Sequence, residues 1–244
     1  MTSQDPLLQE LQYITQEQPD SALAQRFAPI LCFDRAEPFF PLAVGYTVFR
    51  TASKSPSSKF MIDPHDGIAI EYAIWWDWDI QHLYELEHTW VYLDADEQLI
   101  KVEASAHGSL LPMTKEDGSL PLEDGRITIY SESGKHGFAP ERYWLISRAE
   151  HTNLSCGENA GNGGIHTTNP FGAAAFGNPT DDEHQLANRY MQQRAFTPTY
   201  DFSHWFDLQT VPFVTWAQLA EWIPRRIIWW RSELQQIFKD NRKT

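Results

Sequence analysis

Asp77 to His88 reads Asp-Trp-Asp-Ile-Gln-His-Leu-Tyr-Glu-Leu-Glu-His and follows directly on the apolar run Ala73-Ile74-Trp75-Trp76. Four carboxylates and two imidazoles fall within twelve residues. Groups that ligate cations, packed this densely beside tryptophan, do not describe a solvated surface strip. The segment therefore predicts a divalent-cation site cut into a β-rich core.

The surrounding pattern fits such a core. From Ala28 onward, short runs rich in β-branched and aromatic residues alternate with Pro, Gly, Asp and Ser: Ile30–Phe33, Gly45–Phe49, Ile68–Trp78, Leu86–Leu93, Leu99–His107, Arg126–Ser131 and Tyr143–Ile146. Runs of this length with no helices between them predict a mainly β chain built on a β-sandwich. Asp94-Ala95-Asp96-Glu97 predicts a hairpin turn between the fourth and fifth runs. Helical spacing occurs at the ends. Leu7 to Thr15 predicts one helix, Asp20-Ser21 a cap for a short helix from Ala22 to Phe27, and Thr180 to Glu183 a cap and acidic first turn for a helix through Gln193. Thr215 to Lys243 predicts an amphipathic helix interrupted at Pro224, which either packs on its own domain or sits on a membrane surface. Residues 153–179, rich in Gly and Asn, predict a long loop lying over the site. The expected organisation is a helical lead-in over residues 1–27, a sandwich over 28–214 and a C-terminal helix over 215–244.

Composition narrows the function classes. Thirty-three acidic against nineteen basic side chains give a formal charge of −14, which repels phosphate backbones and argues against nucleic acid as a partner. Cys32 and Cys156, the only cysteines, read as free thiols. The residues after Met1 lack a basic region followed by an apolar one, so a cytoplasmic location is expected.

Alternation along a strand puts Glu85, Glu87, Thr89 and Val91 on one face and Leu86, His88, Trp90 and Tyr92 on the other, with Asp77 and Asp79 also sharing a face. Two carboxylates and one imidazole in His82-x-x-Glu85-x-Glu87, completed by an Asp from the preceding strand, suit magnesium, manganese or calcium, with zinc or iron also compatible. The metal ligands expected are Asp79, His82, Glu85 and Glu87. His88 reads either as a packed histidine or as a further ligand. His107 and His136, each beside a glycine that permits a sharp turn, are the candidate acid–base residues, with a structural role in the turn as the plain alternative. The chain contains no G-x-S-x-G elbow, phosphate-binding glycine loop or H-E-x-x-H pair.

Arg26-Phe27-Ala28-Pro29-Ile30-Leu31, Glu37-Pro38-Phe39-Phe40-Pro41, the His82 to His88 segment and Lys101 to Gly108 together resemble the necrosis- and ethylene-inducing-peptide-like proteins, and a related vacuolar-sorting-associated family. The resemblance runs over residues 26 to 140 in short blocks. It implies a central β-sandwich with a divalent-cation pocket. In that family the pocket lies in the heptapeptide Gly-His-Arg-His-Asp-Trp-Glu with an Asp upstream. His82 and Glu87 keep the ligand types, Glu85 stands for the Asp, and Asp79 or Asp77 supplies the upstream acid. Gln81, Leu83, Tyr84 and Leu86 replace Gly, Arg, His and Trp. Two functions are expected from these residues: a metal-assisted hydrolase or lyase on a small polar substrate, or a non-catalytic protein that uses the cation to hold a sugar or lipid head group.

Overall fold

The computed structural model describes residues 5–14, 18, 20–167, 170–171 and 175–240. Its centre is a β-sandwich. Among the described residues, one sheet runs in the order Phe213–Thr215, Ala43–Phe49, Ile68–Trp78, His82–Leu93, Leu99–Ala106, Ser109–Pro112, with Gly164–Ile165 added beside His82 and Leu83. The second sheet runs Phe138–Ala139, Arg126–Ser131, Ile30–Phe33, His204–Asp207, with Leu122–Glu123 extending one edge. Ile68–Trp78 and His82–Leu93 form a long antiparallel pair from Ile68↔Leu93 to Trp78↔Leu83.

Ile68–Trp78 reads as a continuous apolar run because it is covered on both faces. Ile70, Tyr72, Ile74 and Trp76 point between the sheets, against Leu31, Phe33, Ile129 and Phe138. Ala73 and Trp75 point the other way, under the C-terminal helix and its Leu219, Trp222 and Ile223. Burying each large side chain on either face contributes on the order of 1.5–3 kcal/mol before entropy is counted. The strand is therefore the common wall of two apolar layers.

That second layer corrects one expectation. The C-terminal helix runs unbroken from Trp216 to Asp240 through Pro224, where the spacing predicted an interruption. Pro224 costs the helix a hydrogen bond and about 3 kcal/mol. Packing on both sides of it, by Ile223 and Ile227, offsets that loss. Residues 241–243 of the predicted helix lie outside the described residues, as does Thr15 at the end of the first. The helix docks on its own domain: Trp222 Nε1 donates to Leu7 O (2.8 Å), Arg225 pairs with Glu10 (2.7 Å) and Arg226 with Asp77 (2.7 Å). No described helix is long and apolar enough to cross a membrane.

Other predicted boundaries also shift. Tyr143–Ile146 lies in a short helix, Arg142–Ile146, and a second helix occupies Ala149–Cys156 at the start of the expected covering loop. Asp20 does not cap Ser21–Arg26. It sits in a left-handed conformation (φ 61°) and its carboxylate pairs with Arg50 at 2.8 Å. Thr180 does cap Asp181–Gln192, exchanging side-chain and backbone hydrogen bonds with Glu183. Cys32 and Cys156 are free and buried. Burial pushes the Cys32 thiol up to about 12 and drives the Cys156 thiol higher still.

Candidate functional site

At one end of the sandwich, beyond Trp78, the chain turns through Asp79-Ile80-Gln81 and returns as His82–Leu93. Asp79 Oδ1 accepts from the backbone N–H groups of Gln81 and His82, both at 2.7 Å, so the carboxylate is fixed by the turn it closes. His82 leaves that turn with its Nδ1 3.0 Å from Tyr84 O. A carbonyl only accepts, so Nδ1 carries the proton and Nε2 keeps a free lone pair. Glu85 follows on the face that also bears Val91 and Leu93, which are inside the sandwich core. One ligand atom from each of Asp79, His82 and Glu85 lies within 4.8 Å of the others. Three of the four expected metal ligands therefore converge.

Glu87 does not join them. Its Oε2 accepts from the Ser105 hydroxyl, and Ser105 Oγ in turn accepts from His88 N at 2.6 Å. Asp77 is separated from Asp79 altogether. Trp76 faces the inter-sheet core, so Asp77 one residue later faces the helix layer and is held by Arg226, with Nε at 2.9 Å and Nη2 at 2.7 Å. The two aspartates share a face only while the strand continues, and it ends at Trp78. His88 is the packed histidine of the plain reading, stacked on Trp90 (5.4 Å, 9°) with Nε2 3.0 Å from Ser57 Oγ.

The two acid–base candidates part company. His107, in a left-handed turn (φ 51°), places Nε2 2.6 Å from Glu132 Oε2, while Glu132 Oε1 accepts from Thr152 at 2.8 Å. His136, also left-handed (φ 60°), is fully buried, its ring stacked on Trp76 (4.7 Å, 7°) and Nε2 3.4 Å from Glu37. His107 lines the cleft and His136 does not, so only one of them is placed to meet a ligand there.

Two contributors escaped the sequence reading. Lys135 donates its ammonium to Asp79 Oδ2, placing a resident cation against the cluster. Its turn is held by Gly134, whose carbonyl accepts from Ile80 N at 2.7 Å and whose missing Cβ avoids Cys156 and Ile80 atoms 3.0 Å away. The signal was present in Ser131 to Gly137, where the lysine stands directly beside the histidine singled out above. His166 is the second, its ring 4.8 Å from that of His82. It follows Gly164–Ile165, which pairs with His82 and Leu83 as an added strand. The glycine-rich segment thus does reach the site, although Gly172 and residues 168–169 and 173–174 lie outside the described residues.

Burial and charge set the protonation states. Burial drives the His82 imidazole down to about 4, with Lys135 and His166 adding to the shift and Asp79 opposing it. Burial also raises Glu85 well above the usual carboxylate range, reinforced by the charges of Asp79 and Glu87. Asp79 resists its own burial: the charge and hydrogen bond of the Lys135 ammonium, with the backbone N–H of His82, keep its carboxyl below the usual value. Burial likewise works against Glu132, and His107 outweighs it to hold that carboxyl low. The result is an ionised Asp79, a neutral His82 and a Glu85 whose burial the Lys135 charge offsets only in part, all beside a cleft of about 860 Å³ whose walls include Tyr84, Ser57, Ser105 and Phe60. Two carboxylates and a neutral imidazole make a donor set that fits a divalent cation, with Lys135 as its built-in competitor.

No protein-family model matches the chain, and no curated protein matches it. Among solved structures it is similar to NLPPya, a necrosis- and ethylene-inducing-like protein. NLPPya in complex with mannosamine is 19% identical over 50% of this chain and 68% of that one, with a TM-score of 0.35. A triply substituted mutant of NLPPya is 17% identical over 74% of this chain and 92% of its own, with a TM-score of 0.34. A glucosamine complex of NLPPya is 16% identical over the same shares, again at 0.34.

Proposed function

We propose that this protein binds a divalent cation through Asp79, His82 and Glu85 and holds a small hydroxyl-rich ligand in the adjoining cleft. One observation carries the reading: ligand atoms of all three residues lie within 4.8 Å of one another, and His82 and Glu85 also line a cleft of about 860 Å³. Magnesium, manganese and calcium suit the carboxylates, and the imidazole keeps zinc and iron in range. Once bound, the cation would add positive charge beside Glu85, which Lys135 offsets only in part, and a Lewis acid for a ligand oxygen. Around it Lys135 offers a donor and Tyr84 and Phe60 flat faces, a mixture suited to a sugar or a comparable head group.

A second reading rests on the His107–Glu132 bond of 2.6 Å. A carboxylate that orients an imidazole is the arrangement of a general base, and it would make the site a metal-assisted hydrolase or lyase. The cytoplasm remains the proposed location, testable by cell fractionation.

The deciding experiment is metal analysis of protein purified without chelator, followed by titration of monosaccharides before and after EDTA. Saturable, chelator-sensitive binding without turnover supports the first reading, and turnover lost on His107→Gln supports the second. Absence of any bound metal, together with no rise in melting temperature on adding the five cations, overturns both.

A further inference from the structure

His82 and Glu85 stand three residues apart on one strand, and strict alternation sends side chains at that spacing to opposite faces. Their ligand atoms nevertheless lie within 4.8 Å of each other. The alternation breaks between them. Leu83 packs in the helix layer together with its register partner Trp78, whereas Glu85, two residues on, is paired with Trp76 of the inter-sheet core. Tyr84 joins Leu83 in the helix layer, so two consecutive side chains point one way. Glu85 is thereby returned to the side of His82.

The backbone of Tyr84 makes that break. Its φ is 91°, inside the strand His82–Leu93. The other seven described non-glycine residues of positive φ, at 49–61°, lie in turns or irregular segments. A bulky residue in this region is strained, and it persists only where the surroundings hold it. Here Trp75 meets the phenol ring edge to face (5.1 Å, 85°), and His166 stacks on it (5.6 Å, 21°). Strand pairing fixes the residues on either side, Leu83 with Trp78 and Ile165 and Glu85 with Trp76. The Tyr84 carbonyl also accepts from His82 Nδ1 at 3.0 Å, which leaves Nε2 with the free lone pair.

We infer that Tyr84 is the positioning residue of the cation cluster: its positive-φ backbone turns Glu85 onto the side of His82, and its carbonyl aims the imidazole. The inference rests on the reading that Asp79, His82 and Glu85 hold a cation. The phenol hydroxyl takes no part in it.

A backbone role and a packing role predict opposite orders among variants at this position. Glycine adopts positive φ freely and fills no space, whereas isoleucine fills space and its branched Cβ opposes that conformation. Calorimetric titration of manganese into the full chain should give Tyr84→Gly an affinity within about threefold of the unsubstituted protein, although it melts lower, and Tyr84→Ile one about thirtyfold weaker. Tyr84→Phe should bind as the unsubstituted protein does. A nuclear Overhauser contact between the His82 ring and the Glu85 side chain, recorded without metal, should be present in the unsubstituted protein and in Tyr84→Gly and absent from Tyr84→Ile. That contact tests the placement whether or not a cation binds, so failure of the cation reading is seen separately. Should Tyr84→Ile fail to fold, Tyr84→Ala takes its place in both measurements: it packs nearly as Tyr84→Gly does but resists positive φ, and should bind about fivefold more weakly than Tyr84→Gly. The inference is overturned if Tyr84→Ile, or Tyr84→Ala in its stead, binds as tightly as Tyr84→Gly or keeps the contact in full, or if the unsubstituted protein lacks it.

Discussion

Asp77 and Asp79 are two residues apart and have opposite fates. Asp77 is sealed between the sheet and the C-terminal helix, where Arg226 takes both of its oxygens and also reaches Asp5. Asp79 lies beyond the strand end, held by two backbone N–H groups and Lys135, with His82 and Glu85 converging beside it. Arg226 saturates its partner with a forked group that matches a carboxylate, whereas the ammonium of Lys135 is a point charge on a flexible stem. The comparison separates a carboxylate used for docking an element from one left able to exchange its cation.

Breaking the first member should cost most. Arg226→Leu leaves Asp77 and Asp5 without a countercharge, and we expect a loss of about 3–5 kcal/mol in urea unfolding, with cation affinity of the surviving folded protein unchanged. Asp79→Asn should cost less, about 1–3 kcal/mol, and should abolish the melting-temperature rise produced by cation. A stability loss for Asp79→Asn equal to that of Arg226→Leu, with the cation response intact, would reduce Asp79 to a second docking carboxylate.

Lys135→Met sharpens the contrast. Removing the resident ammonium should tighten cation binding about tenfold in calorimetry while lowering the melting temperature of the metal-free protein, because Asp79 then keeps its two backbone N–H partners but lacks a countercharge until metal enters. Weaker cation binding in this variant would mean that Lys135 positions the ligands and does not compete with the metal.

The smallest expected effect is in pH. Glu85 has a folded-state carboxyl raised above its ordinary value of 4.5, so between that value and its raised one the native state binds more protons than the unfolded chain. Stability of the metal-free protein should therefore fall as pH rises through this window, and cation should remove the slope by stabilising the ionised form. Glu85→Gln should flatten the metal-free profile. His82, held near 4, stays neutral across the same range and keeps its ligand lone pair.

Much of this was legible beforehand because strand periodicity is local. Ile30–Phe33, Ile68–Trp78 and Arg126–Ser131 have the predicted boundaries, and the turn at Asp94 to Glu97 joins the expected pair. Alternation also placed Glu85 and Glu87 on the face of Val91. Tyr143–Ile146 misled because four residues are too few for periodicity to separate a helix from a strand. The edge strand His204–Asp207 lacks the apolar run that marks a central one, and its partner Ile30–Phe33 is remote in sequence.

What the sequence determined by itself is much of the cleft wall: Glu85, Glu87, His82 and His88 lie on one strand of one hairpin, and a strand's two-residue period decides which of Glu85, Glu87 and His88 share a face. What only the tertiary structure decided is which of them are free. Arg226 from the C-terminal helix removes Asp77, Ser105 from the next strand engages Glu87, Trp76 stacks on His136, and Lys135 from the other sheet reaches Asp79. Each of those partners is far along the chain or on another element, and no local pattern encodes a contact that exists only once separate layers have packed.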